Sequence, residues 1–271
     1  MQIESSADWR AIWEDSSKQN DLTDFQLDRG MSPRDEETET LAEQEEISFI
    51  DPHVDETVLD AGCGTGVNIL RVHSRVKNIV GFDYASASLT RCQKRLQNRG
   101  VRNADVYLAS IAAIPLADRS MNRVLCLSVL QYLSDDEARH ALRECLRVLV
   151  PGGVIVLHVK NSSSLYWFTL GIAKKLKRLL GQSTKLYNLR SFGWYEKELR
   201  AAGFRIIDYR SFNILTFHGT PMCITRVLQK AELKYRDRLP FRLWPIRRHG
   251  ADLKIRAIVD PAFCAQAGTI H

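Results

Sequence analysis

The sequence predicts a doubly wound α/β domain on a seven-stranded, mostly parallel sheet, and three observations carry that expectation. Short apolar runs alternate with segments of helical period from Val58 to about residue 217. The run Val154-Ile155-Val156-Leu157 is wholly apolar, as suits a strand covered on both faces. The strand starting at Val58 ends in an acid, Asp60, and enters a turn with glycine at 62, 64 and 66.

Each element follows in order. Trp9, Ile12 and Trp13 share one face of an N-terminal helix, among polar residues that also include Leu22, Phe25 and Leu27. The acid-rich stretch Met31 to Glu46 predicts a helix continuing to Phe49, with Leu41, Ile47 and Ile50 packed beneath it and Asp51-Pro52 as its break. After the first strand, Gly66 to Arg75 predicts a helix and Asn78 to Phe82 a strand, capped by Asp83. Ser86 to Gly100 predicts a helix with Leu89, Cys92 and Leu96 inward and Gly100 as its stop. Val106 to Leu108 and Arg123 to Ser128 are the third and fourth strands. Asp135 to Leu149 is a helix whose Ala138, Leu142, Cys145, Leu146 and Leu149 face inward, and Pro151-Gly152-Gly153 predicts a sharp turn into the fifth strand.

Residues 160–190 interrupt the pattern. Leu165, Phe168, Ile172, Leu176, Leu179 and Leu180 recur at helical spacing, and Lys174, Lys175, Lys177 and Arg178 crowd the second half. Tyr195 to Ala202 then predicts a helix, Phe204 to Tyr209 a strand, and Phe212 to Phe217 another. From Lys230 to Arg256 there are nine bases and three acids, with proline at 240 and 245. The expected divisions are an N-terminal helical arm or cap at 1–50, the α/β domain at 51–217 with its insert at 160–190, and a basic C-terminal extension at 218–271.

Composition narrows the class. Hydrophobic content of 45% and charged content of 26% are ordinary for a globular chain of 271 residues. The six cysteines show no CxxC pair and no metal-ligand spacing, which predicts buried free thiols in a reducing compartment and no metal. Neither a leader-like opening nor a run long enough to span a bilayer is present, so a cytoplasmic location is expected. Residues 1–56 hold 17 acids and 4 bases in a chain of net charge +6, which leaves the rest at +19. Three readings are open: the arm lies over the basic body, the body faces an anionic partner, or the arm is a solvated terminus.

Glycine at alternate positions lets a ligand lie against the backbone, and Asp83 stands where an acid accepts hydrogen bonds from a ribose diol. The spacing G-x-G-x-G, rather than G-x-G-x-x-G, disfavours a pyrophosphate and hence a dehydrogenase.

Val58 to Gly66 resembles the first motif of the class I S-adenosylmethionine-dependent methyltransferases, of the small-molecule type. Asp83 is similar to that family's ribose acid, Ile114-Pro115-Leu116-Ala117-Asp118 to the segment before its fourth strand, and Leu149-Val150-Pro151-Gly152-Gly153 to the turn before its fifth. The resemblance covers residues 55 to 160 well and continues more loosely to about 217. It implies a Rossmann-like methyltransferase fold with S-adenosylmethionine as cofactor. It further implies that Asp60, Gly62, Cys63, Gly64 and Gly66 border the methionine and ribose, that Asp83 holds the ribose and that Tyr84 packs near adenine. Ser110 and Ile111 stand at the adenine loop, where the family usually has an acid in place of Ser110, and Leu127 stands beside the sulfonium.

The acceptor is less legible. No catalytic residue is assigned; His158, Tyr132 and Gln131 are candidates for a general base or positioning group, with Lys160 and Asn161 nearby. Cys126 to Tyr132 lacks the Asn/Asp-Pro-Pro-aromatic motif with which the family methylates adenine amino groups, which disfavours base N-methylation. A small-molecule, lipid or sugar acceptor is expected. The insert is either a lid with its apolar face over the pocket or an amphipathic helix on an anionic membrane. Tyr235, Phe241 and Trp244 among bases leave an RNA or protein substrate as an alternative, nucleic acid being the less expected partner. A non-catalytic partner that kept the fold is the remaining alternative.

Overall fold

The computed structural model describes residues 6–18, 36–179, 187–214, 221–235 and 248–263. Helix α1 (Ser6–Lys18) and helix α2 (Glu36–Ile50) precede strand β1 (Thr57–Ala61). There follow α3 (Val67–Val72), β2 (Asn78–Asp83), α4 (Ser86–Asn98), β3 (Ala104–Leu108), β4 (Met121–Leu127), α5 (Asp135–Val148) and β5 (Leu149–Lys160). The chain continues through α6 (Leu165–Leu179), α7 (Phe192–Ala201), β6 (Phe204–Phe212), α8 (Met222–Tyr235) and β7 (Asp252–Val259).

The seven strands form one sheet in the order β3-β2-β1-β4-β5-β7-β6. Strands β3 to β5 pair in parallel, and β7 runs antiparallel to both β5 and β6. One apolar layer, containing Leu59, Val124, Leu142, Leu157, Tyr195, Leu199, Leu253 and Ile255, lies under α5 and α7. The other, with Phe49, Ile50, Val58, Ile69, Leu89, Leu96 and Leu125, lies under α2, α3 and α4. The predicted helices and first six strands are found to within a few residues. Helix α5 begins with a complete capping box: Ser134 Oγ accepts from Glu137 N–H, and the Glu137 carboxylate accepts from Ser134 N–H.

Two expectations are corrected. The seventh strand is 252–259, not 212–217; Phe212 ends β6, and residues 215–217 lie outside the described residues. Leu253, Ile255, Ala257 and Val259 alternate with Asp252, Lys254 and Arg256, so β7 carries the period of two that a strand demands. Its apolar set joins the main core, and part of the expected C-terminal extension is therefore an interior strand. The second correction concerns Pro151-Gly152-Gly153. No turn separates helix from strand there: β5 already pairs at Leu149 with Met121, then slips in register before Arg123 meets Val154. The segment is a bulge inside a longer strand.

The charge asymmetry also finds its structure. Helix α2 lies over the sheet face carrying the alternate residues of β7. Lys254 pairs with Glu45 and Glu46, Arg210 with Glu45, Arg256 with Asp51, and Lys230 of α8 with Glu37. Acids of the arm thus neutralise bases that the sheet would otherwise bury alone. Leu22, Phe25, Leu27 and the first residues of the predicted acidic helix lie outside the described residues.

Candidate active site

The carboxyl ends of β1, β2, β4 and β5 open into one cleft of about 740 Å³, the place where open α/β sheets bind ligands. Gly62 adopts φ +83°, and a Cβ there would meet Val129 Cγ2 at 2.4 Å. Gly64 adopts φ +52° and faces open space, so no side chain stands between its backbone and the cleft. Asp83 locks this turn to its own strand end, its carboxylate accepting from Gly64 N–H at 2.9 Å and Ala85 N–H at 2.9 Å. Burial raises the Asp83 pKa, and these backbone donors oppose the rise. Each carboxylate oxygen keeps a lone pair for a ligand hydroxyl.

Of the predicted cofactor residues, Gly62, Cys63, Gly64, Asp83, Tyr84, Ser110, Ile111 and Leu127 line the cleft together. Asp60 and Gly66 do not. Gly66 sits where α3 approaches α4, a Cβ there lying 2.6 Å from Cys92 Sγ. Asp60 is fully buried beneath the turn, with neither carboxylate oxygen hydrogen-bonded. Desolvation, followed by the nearby Asp83, raises its pKa to about 7. Ser110 Oγ accepts from Ala112 N–H at 3.2 Å and shapes the loop where the family usually presents an acid.

A side-chain-free turn and a ribose-type acid on one cleft, with the orphaned Asp60 carboxylate buried beneath the turn, fit a nucleoside cofactor that carries positive charge. Among the described residues, no cluster of three or more His, Cys, Asp or Glu could hold a metal ion.

The far end of the cleft is built by β5 and β7. Antiparallel pairing sets His158 opposite Lys254 and Lys160 opposite Asp252. Lys160 Nζ donates to Asp252 Oδ1 at 2.6 Å, and Asn213 Nδ2 donates to Asp252 Oδ2 at 2.7 Å. Burial opposes the Asp252 charge, but Lys160, His158 and these hydrogen bonds prevail and hold its pKa at about 2. Burial likewise opposes the Lys160 charge, and Asp252 overcomes it, raising the pKa. His158 Nε2 lies 3.9 Å from Asp252 Oδ1 and has no hydrogen-bond partner. Desolvation lowers the His158 pKa, so the ring is neutral near pH 7.

The other candidates are engaged in structure. Gln131 is buried and donates to Ser128 C=O at 3.0 Å. Tyr132 packs against Trp9, Trp13 and Tyr187, and burial raises its pKa, so its phenol stays protonated. Asn161 spends its amide on the carbonyls of Arg248 and Gly250, each at 2.8 Å.

Sequence reasoning missed two residues. Asp252 became visible only once β7 was placed beside β5. Arg190, buried after α6, donates to the carbonyls of Leu130 and Leu133 and to Asp135, and thereby fixes the loop that carries Val129, Gln131 and Tyr132 into the cleft. Its signal is non-local, for nothing near residue 190 announces partners some 55 to 60 positions away.

Helix α1 closes one side. Trp9 and Trp13 line the cleft, and Glu14 of α1 accepts from Ser86 Oγ at 2.6 Å and Ala87 N–H at 3.2 Å, capping α4 from outside its own chain segment. The Ala85 N-cap position offers no side-chain oxygen of its own.

Comparison with known proteins agrees with this geometry. Residues 58–153 match the family model of a methyltransferase domain. A probable S-adenosylmethionine-dependent methyltransferase of Mycolicibacterium smegmatis is 31% identical over 104 residues, 38% of each chain. The malonyl-[acyl-carrier protein] O-methyltransferase of Serratia marcescens is 36% identical over 114 residues, 42% of each chain. The match thus spans about two-fifths of the length of these curated relatives. A solved S-adenosylmethionine-dependent methyltransferase of Aquifex aeolicus superposes with a TM-score of 0.56 at 12% identity, over 92% of this chain and 98% of its own; that likeness is one of fold.

Proposed function

We propose that the chain, whose residues 58–153 match a methyltransferase-domain family model, is a class I S-adenosylmethionine-dependent enzyme that transfers a methyl group to a small-molecule, lipid or sugar-type acceptor. One observation carries the proposal: the glycine turn and Asp83 share a single cleft with His158, Lys160 and Asp252, so donor and acceptor ends are continuous.

In this reading the backbone at Gly62 and Gly64 and the Asp83 carboxylate hold the cofactor, with Tyr84, Ser110 and Ile111 around its base and Leu127 near its sulfur. Bound there, S-adenosylmethionine supplies an electrophilic methyl group. The protein's task is then to orient the acceptor and exclude water, which accounts for much of the acceleration of a displacement. Trp9, Trp13 and Tyr132 form the apolar wall that does so. His158 Nε2 accepts the proton that an acceptor hydroxyl or amine loses, being neutral and free of other hydrogen bonds. Asp252, kept anionic by Lys160 and Asn213, stabilises the imidazolium that results.

Calorimetric titration of the whole chain with S-adenosylmethionine tests the donor end. Saturable heat is expected, and Asp83→Ala should weaken binding by roughly 10- to 100-fold through lost charge-assisted hydrogen bonds. No heat from the unaltered chain at millimolar cofactor would favour a non-catalytic role and end the proposal. The acceptor is sought by following a radioactive methyl group into a panel of hydroxyl, amine and carboxyl compounds. With an acceptor found, kcat/KM should fall only on the acid side of the ordinary imidazole range, because burial lowers the His158 pKa. His158→Gln should abolish that limb and lower kcat by roughly 100-fold or more. An unchanged profile would remove His158 from the mechanism.

A further inference from the structure

Helix α6 is amphipathic in the opposite sense from a lid. Leu165, Phe168, Ile172 and Leu179 follow at intervals of three, four and seven, which sets them in one narrow stripe. They are 57%, 64%, 50% and 77% exposed. The inward side carries Trp167, buried with its Nε1–H on Ala251 C=O at 2.8 Å, and Lys174, which lines the cleft with its ammonium 5.6 Å from the Tyr187 ring. The apolar stripe therefore faces away from the cleft, which goes against the lid, one of the two alternatives the sequence left open for this insert. Ile224 and Val227, one turn apart on α8, are also about half or more exposed.

A bulky apolar stripe left in water marks a contact surface. Its charge selects the partner. The sequence of α6 holds Lys174, Lys175, Lys177 and Arg178 and no acid, and Lys175 is exposed beside the stripe. A second copy would set one acid-free basic helix against another, which disfavours self-pairing. We propose that α6 docks on an anionic lipid surface, its apolar stripe entering the headgroup boundary and the exposed Lys175 meeting lipid phosphates in the field of an acid-free, basic helix. The docking stands independently of methyl transfer.

Co-sedimentation of the whole chain with vesicles of phosphatidylcholine, with and without phosphatidylserine, tests it. Binding is expected only with phosphatidylserine, and it should fall as salt shortens the reach of the charges. Phe168→Ser and Ile172→Ser should each lower the partition coefficient by roughly tenfold, and Lys175→Glu should lower it further at low salt. All three variants should bind S-adenosylhomocysteine as the parent does, which shows that they are folded. Absence of binding at low salt, or equal binding to both vesicle types, would overturn the proposal. So would a dimer in solution that Phe168→Ser dissociates, since the stripe would then be an interface between copies.

Discussion

At Asp60 a buried carboxylate has no hydrogen-bond partner and a pKa near 7, while at Asp252 another buried carboxylate has a lysine, an asparagine and a pKa near 2. The two oppose each other in sign. Asp60 titrates above its ordinary 3.8, so the folded chain keeps a proton that the unfolded chain has lost. Stability from this group is complete below about pH 4 and drains as pH rises to 7, on the order of 4 kcal/mol at full effect. Asp252 titrates below 3.8, so its contribution is complete above that value and is lost as pH falls towards 2. The windows do not overlap. Denaturant titrations of Asp60→Asn between pH 4.5 and 7.5 should therefore be flatter than those of the parent, with the variant the more stable at pH 7.5. An equal slope in both proteins would show that another group carries the dependence. Asp60, the glycines and Asp83 were legible because local spacing defines them. The orphaning of Asp60 was not, because burial depends on what packs over the turn.

The loop 129–133 shows what elements contribute beyond residues. Its lining side chains follow β4 in sequence, but its shape is set by Arg190, whose three donors reach two carbonyls and a carboxylate while its plane lies 4.5 Å from the Trp194 ring. A lysine offers one charge point where this fork satisfies three acceptors. Arg190→Lys should lower stability by about 2–4 kcal/mol, read as a drop in Tm, because buried carbonyls lose their donors. It should also weaken cofactor binding, whereas Arg143→Lys, at an exposed position of α5, should change neither. Similar weights in both variants would mean that the loop holds itself. Elements with their own period, such as α4 and α5, were legible to within two residues. Helix α6 was legible as a helix yet not in its orientation, since an amphipathic pattern does not say which face meets the protein. Of the basic C-terminal segment, Phe241 and Trp244 lie outside the described residues.

At the scale of the molecule, the sheet order links distant parts of the chain. Strand β7 lies between β5 and β6, so the acceptor end of the cleft joins residues near 158 to residues near 252. The alternation from Asp252 to Val259 was a usable signal, hidden by the bases around it, which drew attention to charge rather than period. Helix α2 was legible as acidic, but its partners on β7 were not, because ion pairs about 205 residues apart leave no local trace. None of the described helices is long and apolar enough to cross a membrane.

The position of β7 between β5 and β6 has a consequence for biosynthesis. Strand β6 pairs with no strand of the sheet other than β7, so when the ribosome has made residue 212 that strand has nothing to pair with, and the edge of β5 that β7 will cover is also open. Thirty-nine residues, 213–251, separate the end of β6 from the start of β7, which at about 5–20 residues per second is a delay of roughly 2–8 seconds. During that interval the nascent chain presents two unpaired edges, the condition under which strands from neighbouring chains join. A polysome carrying this message is thus exposed to aggregation until β7 emerges, and chaperone demand should rise in the interval between the synthesis of β6 and that of β7.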